Sequence, residues 1–172
     1  MLYDATWPFS GGYVKVVLDG KIRFINEFGR AKYQNLGDFS EGLARAGSYM
    51  TGKYGFVNTS GEIIIPMKYE FASSEGFSEG LAEVRINGKD GFINKSGEIV
   101  IPAIYDDAFA FTEGLASVRS KNKRGFINKS GDVVIPIMFY WAQPFSNGMA
   151  KITNNGKDYY IDKSGKCVKD CN

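Results

Sequence analysis

One hexapeptide, Phe-Ser-Glu-Gly-Leu-Ala, recurs along this chain and constrains its fold more than any other feature. It stands as Phe39-Ser40-Glu41-Gly42-Leu43-Ala44, again as Phe77 to Ala82, and as Phe111-Thr112-Glu113-Gly114-Leu115-Ala116. Weaker copies are Phe145-Ser146-Asn147-Gly148-Met149-Ala150 and Phe9-Ser10-Gly11-Gly12-Tyr13-Val14. Successive leading phenylalanines are 30, 38, 34 and 34 residues apart. A second block follows each first one: Lys53 to Gly61, Lys89 to Gly97 and Lys123 to Gly131, with degenerate versions at Lys21 to Gly29 and Lys157 to Gly165. Its closing glycines are 32, 36, 34 and 34 residues apart. Two independent anchors in one register predict five tandem units of about 34 residues. Their bounds are approximately 3–33, 34–68, 69–104, 105–138 and 139–172, within a single repeat domain over 1–172.

Each unit reads as three short strands, so the fold class is all-β. The stretch after the turn glycine, such as Leu81-Ala82-Glu83-Val84-Arg85-Ile86, alternates and predicts a half-buried strand. Asn87-Gly88 and Asn154-Asn155-Gly156 then offer residues that accept the positive φ of a tight hairpin. Gly91-Phe92-Ile93-Asn94 is the second strand, and Asn94-Lys95-Ser96-Gly97 a turn capped by its asparagine. The third strand, Glu98-Ile99-Val100-Ile101-Pro102, ends where proline supplies no N–H. Ile63-Ile64-Ile65, Ile99-Val100-Ile101 and Val133-Val134-Ile135 are apolar throughout, which predicts cover on both faces. Arg30-Ala31-Lys32-Tyr33 and Lys166-Cys167-Val168-Lys169 replace them in the outer units, which are therefore expected to act as caps. The expected architecture is a solenoid-like stack, with a closed toroid or barrel as the alternative.

Composition narrows the chemistry. The chain has 21 Gly and 15% aromatic residues, as many short strands and tight turns require. Its net charge is +2, from 21 basic and 19 acidic residues, so no attraction to nucleic acid is expected. No segment is long and apolar enough for membrane insertion. Histidine is absent, which removes the commonest general base and metal ligand. Cys167 and Cys171 stand close together and read either as a small disulfide or as two free thiols. Met1-Leu2-Tyr3-Asp4 does not open a leader, so a cytoplasmic location is expected for the chain as it stands. If it is a fragment of a longer chain, an extracellular or cell-surface location is expected.

The blocks Lys-x-Gly-Phe-Ile-Asn-x-x-Gly and Phe-x-Glu-Gly-Leu-Ala resemble the WG repeat family, also called KWG repeats. The resemblance covers nearly the whole chain and is strongest in units two to four. The tryptophan position of the name holds Ile22, Tyr54, Asp90, Arg124 and Asp158; its glycine remains as Gly55, Gly91 and Gly125. The resemblance implies a bacterial β-repeat module, often attached to larger surface or signalling proteins, with no catalytic activity.

Several recurring side chains are candidates for function. Glu41, Glu79 and Glu113 are one per unit and precede a turn glycine, so a structural bond is expected of them, with Lys53, Lys89 and Lys123 as partners. Those lysines, with Lys21 and Lys157, read as solvated hairpin edges. The rows Phe9, Phe39, Phe77, Phe111, Phe145 and Phe24, Phe56, Phe92, Phe126, Tyr160 are expected to form the core between units. Trp7, Tyr140 and Trp141 break the pattern and are candidate contact residues. Tyr54, Asp90 and Arg124, variable within a constant frame, predict a second contact surface whose replacement leaves stability nearly unchanged. No catalytic residue, metal or cofactor is expected. The leading function is a non-catalytic scaffold that binds another protein; the alternative is a carbohydrate or cell-envelope binding module.

Overall fold

The computed structural model describes residues 3–171. Met1 and Leu2, which open the stretch read above for a leader, and Asn172 lie outside the described residues. Among the described residues every regular element is a β-strand. The strands form five small antiparallel sheets of three or four strands, and none closes into a barrel. The chain divides into two compact units, Met1–Gly76 and Phe77–Asn172.

In the first unit, Ala5–Thr6, Val14–Leu18 and Lys21–Ile25 form one sheet, and Leu43–Gly47, Tyr54–Asn58 and Ile63–Tyr69 another. In the second, Leu81–Ile86, Lys89–Asn94 and Ile99–Tyr105 pair in chain order. The last two copies, like the first with Ala5–Thr6, have a two-residue strand in front. Asp107–Ala108 precedes Ala116–Ser120, Lys123–Ile127 and Val133–Phe139, and Trp141–Ala142 precedes Met149–Asn154, Lys157–Asp162 and Cys167–Lys169. The first copy has no regular third strand: Ala31 makes a single bridge to Ile25.

The recurring hexapeptide is a two-residue hairpin turn. The Ser78 N–H donates to the Leu81 carbonyl at 2.9 Å and the Leu81 N–H returns to the Ser78 carbonyl at 3.1 Å. Between them Glu79 and Gly80 have φ of 53° and 86°, the primed turn that matches strand twist. Asn87-Gly88 closes the next hairpin with φ of 50° and 74°. The Asn94 side-chain oxygen then accepts from the N–H groups of Ser96 (3.1 Å) and Glu98 (3.0 Å), and Asn58 and Asn128 repeat this.

Gly91 is required by a close approach. A Cβ there would lie 2.6 Å from the Ile101 carbonyl oxygen, and Gly55 and Gly125 face the same obstruction from Ile65 and Ile135. The third strand crosses over this glycine and runs for seven residues. Where Arg23 and Tyr159 replace the glycine, the third strand is missing or three residues long.

The copies pack face to face. Residues opposite one another in an antiparallel pair share a face, so Leu81, Glu83 and Phe92 lie on one side of the third copy and Ala82, Val84 and Ile93 on the other. Leu81 and Phe92 pack into a core with Ala116, Val118 and Ile127 of the fourth copy. Leu115 and Phe126 do the same with Ala150, Ile152 and Ile161 of the fifth. In the first unit Phe24 packs with Ala44, Ala46 and Val57. Rings meet edge to face across these seams, Phe92 to Phe111 at 4.9 Å and Phe126 to Phe145 at 4.8 Å. Of the aromatic rows, Phe24, Phe56, Phe77, Phe92, Phe111, Phe126 and Phe145 are core and Phe39 and Tyr160 are half-buried, but Phe9 is exposed, contrary to expectation; Leu81–Val84 is buried on both faces rather than half-buried.

The third strands depart from expectation. Ile99 is 56% exposed and Val100 is exposed, while Ile101 is 1% exposed. Ile63 and Ile64, and Val133 and Val134, repeat this outward pair, with Ile65 and Ile135 turned inward. The cause is a shift of register between Ile99 and Ile101, which turns two consecutive side chains outward together.

Candidate functional site

The variable tryptophan position is not the open surface that its variability suggests. Asp90 is 0% exposed and Arg124 is 2% exposed; Tyr54 is half-buried. At Asp90 and Arg124 this position lies on the face that the next copy covers, so its side chain must find a polar partner. Tyr54 lies under the Arg45 guanidinium, 5.1 Å from its ring centre, and its hydroxyl accepts from Asn35 Nδ2 at 3.3 Å. Asp90 receives a two-pronged bond from Arg85 directly across the hairpin, Nε to Oδ1 at 2.6 Å and Nη2 to Oδ2 at 2.7 Å. Asp158 in the last copy is exposed and pairs with Lys151 (2.8 Å) and Thr153 (2.6 Å).

Arg124 and Trp141 come together. The Arg124 guanidinium lies against two rings, 4.3 Å from the centre of Phe109 and 4.7 Å from that of Trp141. Its Nη2 donates to the Asp107 carboxylate and its Nη1 to Ser117 Oγ at 3.4 Å. Trp141 also meets Phe109 edge-on at 5.7 Å, yet remains 43% exposed. Tyr140 beside it is exposed, with the Lys123 ammonium 3.3 Å from its ring centre. These are cation–π contacts that hold two large aromatic surfaces in place while leaving one side of each to solvent. Trp141 and Tyr140, two of the candidate contact residues, are thus both exposed.

Glu83 is a buried acid on the same face as Asp90. Burial pushes its carboxyl up to about 8, and the neighbouring Asp90 and Asp107 carboxylates add to this against the pull of Arg85. Protonated, it hydrogen-bonds to Asp90.

The recurring glutamates tie one copy to the next, with lysines other than those expected. The Glu79 carboxylate accepts from the Gly114 N–H and pairs with Lys129 at 3.0 Å. Glu113 accepts from the Gly148 N–H and pairs with Lys163 at 3.2 Å. Lys53, Lys89 and Lys123 instead meet Glu70, Asp106 and the Tyr140 ring, which hold equivalent places after the third strands.

Trp7 stands apart, in the first unit. It borders a groove of about 650 Å³ shared with Tyr13, Lys15, Lys32, Tyr33 and the turn at Thr59 to Gly61. The Lys15 ammonium lies 4.7 Å from the Trp7 ring centre, and that of Lys32 lies 5.3 Å from both Tyr13 and Tyr33. Lys32 Nζ and the Tyr33 hydroxyl both donate to the Gly61 carbonyl, at 3.0 and 2.6 Å.

Cys167 and Cys171 are joined in a disulfide. Among the described residues no group of three or more His, Cys, Asp or Glu side chains is placed to hold a metal, and no helix is long and apolar enough to cross a membrane. The family model for the WG containing repeat matches residues 1–21, 54–89, 91–123 and 125–157. No curated protein matches the chain.

Proposed function

The chain belongs to the WG containing repeat family, and on that premise we propose that it is a non-catalytic scaffold whose task is to hold another protein. The observation that carries this reading is the outward apolar pair on the third strand: Ile63 and Ile64, Ile99 and Val100, Val133 and Val134. Packing within the copies does not require these side chains, yet three successive copies keep them apolar. Within the second unit the water-facing apolar pairs Ile99-Val100 and Val133-Val134 recur one per copy, as an interaction surface needs. Trp141 and Tyr140 supply the large, pre-held aromatics that dominate protein contacts. The adjacent sheet edges are interrupted by Pro66, Pro102 and Pro136 and by register shifts, so the partner is held by side chains and not by an added strand. No catalytic step enters this reading, because Glu79 and Glu113 are engaged in joining copies.

The test is affinity purification of the full chain from its native cell, beside a variant carrying I99S, V100S, V133S and V134S. Wild type is expected to retain one stoichiometric protein, and the variant to lose it while unfolding at the same urea concentration. A partner retained equally by the variant rejects this surface.

A second reading, carbohydrate or cell-envelope binding, rests on Trp7 and its groove. The Cys167–Cys171 disulfide supports the oxidising compartment in which such ligands occur.

A further inference from the structure

The groove beside Trp7 lies where the tie between copies has been deleted. Between the third and fourth copies, Glu79 spans the seam to the Gly114 N–H and to Lys129 of the next Asn-Lys-Ser-Gly turn. Between the fourth and fifth, Glu113 spans it to the Gly148 N–H and Lys163. At the seam between the first and second copies, Gly11 stands in place of the glutamate and Thr59 in place of the lysine. Both ends of the tie are gone, and both residues line the groove. A Cβ added at Gly11 would meet nothing within 4 Å.

What replaces the tie is a set of ligand-binding groups. Trp7 and Tyr13 offer ring faces, and Lys15 and Lys32 bring two ammonium groups over those rings. Ser10, Thr59 and Ser60 add hydroxyls. Glu62, the acid lining the groove, already accepts from Asn58 Nδ2 at 2.7 Å. Flat apolar faces beside hydroxyl partners suit the ring of a sugar, and paired ammoniums suit a carboxylate upon it. The volume matches one or two sugar rings.

We propose that the groove formed at Gly11 and Thr59 binds an acidic sugar, with Trp7 and Tyr13 against the ring and Lys15 and Lys32 on its carboxylate. The inference rests on the carbohydrate reading and goes further by assigning the site and the charge.

The experiment is isothermal titration of the full chain with digalacturonate and with its neutral methyl ester. The acid should bind, and the ester at least about tenfold more weakly, since esterification removes the charge. G11E/T59K restores the tie and should reduce acid binding about tenfold or more while unfolding no earlier than wild type. Glu79 and Glu113 hold φ of 53° and 52° at this turn position, so glutamate is compatible with the φ of 57° at Gly11. K15Q/K32Q provides an independent variant that should reduce acid binding more than ester binding and so narrow the difference between the two ligands. Equal affinity for acid and ester would overturn the acidic-sugar inference and leave the carbohydrate reading standing. Binding of neither would overturn both. Undiminished binding by G11E/T59K would place the site elsewhere and overturn the assignment.

Discussion

The backbone N–H of Gly114 donates to both carboxylate oxygens of Glu79, each at 3.1 Å, so the turn of one copy is held by the turn before it. Lys129 closes the same tie. Burial pushes the Glu79 carboxyl up, but the bonds from Lys129 and Gly114 outweigh it and hold the group below the usual glutamate range. Glu79→Ala is therefore expected to lower stability by about 1–2 kcal/mol in urea unfolding at pH 7. The sign with pH follows from the lowered value. The contribution is present above the ordinary glutamate value of 4.5 and is lost as the pH falls through the folded one. Wild type and variant should therefore converge in acid.

Glu83 has the opposite dependence. Its carboxyl is pushed up to about 8, so the folded chain keeps a proton that the unfolded chain releases near 4.5. Stability from this group is complete below 4.5 and declines as the pH rises toward 8. Asp90, Asp107, Arg85 and Arg124 are the charges around it. Glu83→Gln keeps the shape without the charge. It should flatten the decline and raise stability at pH 8 by about 1–3 kcal/mol, as read by unfolding across this range.

Asp90 and Arg124 are buried members of ion pairs. Asp90→Ala leaves Arg85 without its carboxylate, and Arg124→Ala leaves Asp107 and the facing Phe109 and Trp141 rings without their cation. Each is expected to cost about 3 kcal/mol or more in urea unfolding, against the near-neutral effect expected of an exposed position.

The repeat, the turns and the aromatic core were legible because each depends on local chemistry repeated in register. Asn87-Gly88 must turn, Asn94 must cap, and a recurring phenylalanine finds a covered site wherever a neighbouring copy packs against it. The outward facing of Ile99 and Val100 was not legible, since the register shift behind it depends on the strand crossing Gly91. The variable position misled for a different reason. Variation between copies suggests exposure, yet a buried site can also vary when each copy brings its own partner, as Arg85 does for Asp90 and Asp107 for Arg124. Of the candidate contact residues, Trp7, Tyr140 and Trp141 were recognisable because each breaks the pattern. The groove beside Trp7 left a trace in the alignment of copies, as Gly11 for glutamate and Thr59 for lysine, whose meaning required the Glu79 tie.

The account holds that an aromatic side chain in this chain is core only where a neighbouring copy covers it. Phe111 is buried against Phe92, while Phe9, its counterpart in the first copy, is 60% exposed. Urea unfolding of Phe111→Ala and Phe9→Ala compares the same residue at the same place in the repeat. We predict a loss of about 3–5 kcal/mol for Phe111→Ala and less than about 1 kcal/mol for Phe9→Ala. Equal losses from the two substitutions would contradict the packing of copy upon copy.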